Sequence, residues 1–151
     1  MIGYDERRKL LTAQHDRLRV LIGALRSAAG SVLAAEDIEA LQLIGRLRRA
    51  VEELELQFYA HLASEEATLE PILSRIDAWG PIRLDLLRAE HAHQRAVLAA
   101  MRVAEGAPYS IARRAASLAE DLLADIAAEE RDLLAPELLR DDAVCLDQSD
   151  A

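Results

Sequence analysis

The feature that most constrains the fold is an apolar stripe that changes character without changing step. Ile44, Leu47, Val51, Leu54 and Phe58 recur at alternating spacings of three and four, the pattern of one helix face. The same steps carry on to His61 and Glu65. Residues four apart on a helix share a face, so an imidazole and a carboxylate stand where the stripe calls for apolar groups. An unpaired carboxylate is costly to bury. Something inside must meet it, and a metal ion is the obvious candidate.

Three further helices carry similar stripes. The first is expected from about Tyr4 to Ala29, stopped by Gly30. Its stripe is Leu11, His15, Leu18, Ile22, Leu25 and Ala29, with Ser31 to Asp37 as the connection. The second is expected from about Ile38 to the neighbourhood of Pro71, where the missing backbone donor ends or kinks it. A further turn or two leads to Gly80. The third is expected from Pro81 to Glu105, with Leu84, Leu87, His91, Gln94 or Arg95, Leu98 and Met101 inward. His93 falls about 200° round the helix from His91 and faces away. The fourth is expected from Pro108 to about Ala135, with Ile111, Ala115, Leu118, Leu122, Asp125, Glu129 and Leu133 inward. Asp125 and Glu129 thus repeat the four-residue spacing of His61 and Glu65. Moving that register by one would pair Ile126 with Glu130, which the stripe disfavours.

Four helices with short connections make an all-α, antiparallel up-and-down four-helix bundle. Residues 1–136 form it, and residues 137–151 are an acidic tail expected to fray. In such a bundle the starts of helices 1 and 3 share one end with the ends of helices 2 and 4. His15 and His91 each lie about ten residues, or ~15 Å, from a helix start. His61, Glu65, Asp125 and Glu129 lie at the matching distance from Pro71 and Pro136. All six therefore fall in one layer.

A lone histidine on an apolar stripe is ordinarily a hydrogen-bonded core residue. Three on three helices at one height are a set. Three imidazoles and three carboxylates are too many ligands for one tetrahedral zinc and enough for two octahedral ions with bridging carboxylates. A helix-bundle core is a common home for a di-iron or di-manganese centre. Glu66 and Glu130, next to the two glutamates, read as solvated or as supports for the ligands.

Composition agrees and narrows the function. The 151 residues suffice for one domain with a sizeable core. Gly (6) and Pro (4) are few, and a net charge of -9 repels phosphate backbones. Five aromatic residues leave little for base stacking, so nucleic acid is not expected as a partner. No apolar run nears the ~20 residues of a membrane span. The N-terminus lacks a signal-peptide layout. A single cysteine, Cys145, forms no internal disulfide and suits a reducing cytoplasm.

These residues resemble the hemerythrin-like, or HHE cation-binding, family. Gln-His-Asp-Arg-Leu supplies His15. His-Leu-Ala-Ser-Glu-Glu, followed by Leu-Glu-Pro, supplies His61 and Glu65. Glu-His-Ala-His supplies His91. Where the family has a second His-x-x-x-Glu pair, this chain has Asp-Ile-Ala-Ala-Glu-Glu, so Asp125 replaces a histidine and Glu129 matches. The resemblance implies metal ligands at His15, His61, Glu65, His91, Asp125 and Glu129. It implies two non-haem iron ions, with manganese or zinc as alternatives, and a small partner such as dioxygen, peroxide or nitric oxide to bind or sense, or a role in handling iron. The oligomeric state is open, a homodimer included, and so is turnover. The aspartate supports a competing reading: a degenerate bundle, mononuclear or metal-free, acting as a structural or interaction protein.

Overall fold

The computed structural model describes residues 3–135. The acidic tail and Cys145 lie outside them. Four helices follow in order: α1 (Tyr4–Ala34), α2 (Asp37–Ile76), α3 (Gly80–Arg102) and α4 (Pro108–Asp132). They form an all-α bundle in which α1 packs against α2 and α4, and α2 against α3. The α3–α4 seam is the sparsest of the four sides.

Two helices run past their expected stops. α1 runs through Gly30, and the chain turns at Ala35 and Glu36. Gly30 faces solvent, while Ala28, Ala29 and Val32 around it are buried. Their packing outweighs the ~1 kcal/mol helix penalty of one exposed glycine. α2 likewise continues past Pro71 to Ile76. Pro71 is on the solvent side, where a missing backbone hydrogen bond costs least, and Leu69, Ile72 and Leu73 keep the helix on the core.

The turn into α3 requires glycine at position 80 on grounds of space. A Cβ there would lie 1.6 Å from the Leu73 carbonyl oxygen. α3 ends at Arg102 and α4 at Asp132, each about a turn short of expectation.

The apolar interior has two parts. The larger includes Leu18, Leu25, Leu47, Leu54, Phe58, Leu62, Leu98, Leu122 and Ile126. The smaller gathers Leu11, Leu69, Ile72, Leu73, Leu84, Leu87 and Leu134. Between them in sequence, on every helix, lie the buried polar residues.

Candidate metal centre

Six polar or charged side chains are buried among the described residues: His15, His61, Glu65, His91, Gln94 and Glu129. Each occupies a rung of an apolar stripe, with apolar rungs above and below it. The stripes dictate the burial, and the chemistry must then satisfy it.

The three imidazoles are held in one way. His15 Nδ1 lies 3.1 Å from Glu130 Oε1, His91 Nδ1 is 2.8 Å from Glu66 Oε1, and His61 Nδ1 is 2.8 Å from Gln14 Oε1. Facing carboxylates, the Nδ1 atoms of His15 and His91 must be the donors. Gln14 turns its amide nitrogen to Ser64 Oγ and so offers oxygen to His61. In neutral rings this places every lone pair on Nε2. Those Nε2 atoms converge. His15 Nε2 and His61 Nε2 are 3.1 Å apart. Glu65 Oε2 is 3.3 Å from His61 Nε2 and 3.2 Å from His91 Nε2, and Glu129 Oε1 is 3.6 Å from His15 Nε2.

Lone pair facing lone pair is repulsive unless a proton or a cation sits between them. The electrostatics show the same tension. Burial pushes the Glu65 carboxyl up, yet His61, His91 and His15 together hold it at about 2. Burial pushes His91 down, yet Glu65 and Glu66 raise it above its ordinary value. Between Glu65 and His91, the proton therefore belongs to the imidazole of His91. Outside the layer, burial pushes Glu66 and Glu130 up, but Arg95 with His91 and Arg19 with His15 bring each below the usual carboxylate range.

A metal fits this donor set. Five of the seven buried side-chain atoms without a hydrogen-bond partner among the described residues are Glu65 Oε1 and Oε2, His91 Nε2, Gln94 Oε1 and Glu129 Oε1. One atom from each of His15, His61, Glu65 and Glu129 can be chosen so that all four lie within 4.8 Å of one another. Imidazole nitrogens fixed by outer acceptors, together with carboxylate oxygens, are what a first-row transition ion requires.

Asp125 departs from the expected stripe. Ile126 takes the buried place, and Asp125 is half-buried near the α3–α4 seam, accepting a 3.1 Å hydrogen bond from Gln94 Nε2. A third carboxylate turned fully inward would add another charge to desolvate. At the seam it keeps water and a donor. Glu129 still points inward, and Glu130 turns to His15. His93 is exposed.

Sequence reasoning passed over Gln14 and Gln94 as parts of the site and left the roles of Glu66 and Glu130 open. A usable signal was present. Gln14-His15 with Arg19 on α1 is repeated as Glu90-His91 with Arg95 on α3, and the Glu-Glu pairs at 65–66 and 129–130 repeat as well.

Two surface cavities approach the layer. One of about 440 Å³ lies between α1 and α2 and reaches Gln14 and His61. Another, of about 220 Å³, lies between α3 and α4 and is lined by Leu87, Glu90, Glu129 and Leu133.

Fold and site together define a helical bundle with a buried His/Glu cluster suited to a metal ion. The chain belongs to a known family of such bundles: residues 7–139 match the hemerythrin HHE cation binding domain. No curated protein and no solved structure gives a significant match. No helix among the described residues is long and apolar enough to cross a membrane.

Proposed function

We infer that the protein is a non-haem di-iron protein that binds or senses a small oxidant, or handles iron. The observation that carries this reading is the convergence of inward Nε2 atoms and unpartnered carboxylate oxygens, with each imidazole fixed from outside. His15 and His61 would hold one ion through nitrogen and His91 the other, Glu65 and Glu129 would supply carboxylate oxygens, and Asp125 adds negative charge on the α3–α4 side. Manganese or zinc would satisfy the same donors less specifically. Iron held here would supply redox chemistry toward dioxygen, peroxide or nitric oxide. The residues would orient and neutralise it, and the apolar parts of the core on both sides exclude bulk water. The cavity between α3 and α4 touches Glu129 and is the route that suits a small ligand.

The acidic charge disfavours nucleic acid as a partner, and the single cysteine favours a cytoplasmic setting. A second reading has one specific observation behind it. His15, His61, Glu65 and Glu129 alone make a compact four-donor group, which suits a single ion.

Metal analysis separates the two. Protein from iron-supplemented cells should hold about two irons per chain, with a charge-transfer band when air is admitted. One ion per chain would favour the mononuclear reading, and no bound transition metal would overturn both.

A further inference from the structure

Gln94 is 2% exposed and sits one turn beyond His91 on the inward face of α3. Its amide nitrogen donates to Asp125 Oδ2 at 3.1 Å. A carboxylate accepts only from the nitrogen end, so this bond fixes which way the amide lies. Its other end, Oε1, is buried and has no partner. A buried amide oxygen without a donor is destabilising, and Gln94 shares a helix face with His91, whose Nε2 has no hydrogen-bond partner and faces Glu65 Oε2 at 3.2 Å.

The arrangement repeats that of the imidazoles. His15, His61 and His91 each give an outer atom to an acceptor, Glu130, Gln14 or Glu66, and leave one lone-pair atom for the interior. Gln94 gives its outer atom to Asp125 and leaves Oε1. The two residues also change together relative to the other half of the molecule. The place of His61 on α2 is taken on α4 by Asp125, and the place of Leu18 on α1 is taken on α3 by Gln94. An imidazole over an aliphatic side chain has become a shorter carboxylate under an amide. The carboxylate is held at the seam, and the amide is the group that is fully buried.

We propose that Gln94 Oε1 is the neutral ligand that replaces the missing fourth imidazole at the ion beside His91, and that Asp125 acts by holding the Gln94 amide. This rests on the metal-centre reading above. It makes the two ion positions chemically unequal. The position at His15 and His61 has two nitrogen donors. The position at His91 has one nitrogen donor and otherwise oxygen from Gln94, Glu65 and Glu129, and is the harder, weaker site.

The test is iron titration of the metal-free full-length chain under nitrogen, with bound metal counted after desalting and folding checked by circular dichroism. Wild type should take up two irons, the second more weakly. Gln94→Leu, which copies Leu18, should take up one with its helix content intact. Gln94→Glu, which keeps an oxygen donor, should again take up two. Asp125→Ala, which removes the acceptor, should weaken the second iron about 10- to 100-fold, the usual cost of losing a group that orients a ligand, and leave the first unchanged. Two irons of unchanged affinity in both Gln94→Leu and Asp125→Ala would overturn the assignment while leaving the metal centre standing. Failure of wild type to bind any iron would overturn the metal centre itself.

Discussion

The α1–α2 half of the centre and the α3–α4 half follow one plan, and the places where they diverge say most about the protein. His15 is braced by Glu130 with Arg19, and His91 by Glu66 with Arg95, so each half is braced by a glutamate from the other. Glu65 and Glu129 are both buried. At the remaining positions the halves differ. The first has Gln14, Leu18 and His61, and the second has Glu90, Gln94 and Asp125. The first half is therefore richer in nitrogen donors. The second is acidic: burial and then the charge of Asp125 push Glu90 above the usual carboxylate range. A bundle can keep its helices, braces and apolar layers while one half of its polar layer is rewritten, because the Gln94–Asp125 hydrogen bond ties the rewritten pair together and leaves Gln94 Oε1 for the interior.

The largest break in this comparison should come from His61→Ala. It removes a buried imidazole from the nitrogen-rich half, and iron affinity measured by competition with a chelator should fall by more than about 100-fold. Asp125→Ala should cost less, because it touches only the second position. Equal losses would contradict the inequality of the halves. Next in size is the symmetrising double change Gln94→Leu with Asp125→His, which writes the first half onto the second. The second ion should then bind about 10-fold or more tightly than in wild type, with a shifted charge-transfer band; an unchanged spectrum would place position 125 out of reach of the ion.

A smaller effect should appear in the metal-free protein as pH changes. The depressed Glu65 contributes stability above its ordinary 4.5, and this is lost as pH falls toward about 2. The raised His91 works in the opposite sense. Its contribution is complete below 6.5 and is lost as pH rises through its raised value. Thermal stability without metal should therefore decline as pH rises above 6.5. Bound iron replaces the His91 proton, so the loaded protein should not show that decline. A metal-free melting temperature that stays flat as pH rises above 6.5 would contradict this electrostatic account. The smallest effect expected lies far from the site. Gly30→Ala should stabilise the protein by up to ~1 kcal/mol in urea unfolding, since a Cβ there meets nothing within 4 Å and the helix continues through it.

The bundle was readable because every helix carries a 3–4 stripe strong enough to survive polar interruptions, and those interruptions marked the site. Leu11 to Ala29 on α1 and Leu84 to Met101 on α3 are buried as the stripes require. What the stripes did not reveal was the turn-by-turn choice between neighbours. Asp125 and Ile126 compete for one inward place, and periodicity alone favoured Asp125 because it stands four before Glu129. Desolvation decided for Ile126. Gln94 was visible only as an alternative to Arg95 for one inward place. Its significance depends on a partner on another helix, and a single strand of sequence does not encode which side chain its amide will meet. Gly30 and Pro71 misled for a related reason. As local stop signals they are worth ~1–3 kcal/mol, and the buried groups on either side outweigh them.

The central claim is that an ion sits among His15, His61, Glu65 and Glu129. Anomalous diffraction from crystals of iron-loaded protein, recorded on both sides of the iron edge, tests it most directly. The predicted result is a strong edge-dependent peak at bonding distance from the Nε2 atoms of His15 and His61, with a weaker one beside His91 and Gln94 Oε1. Iron bound in the crystal with no peak in this layer would contradict it.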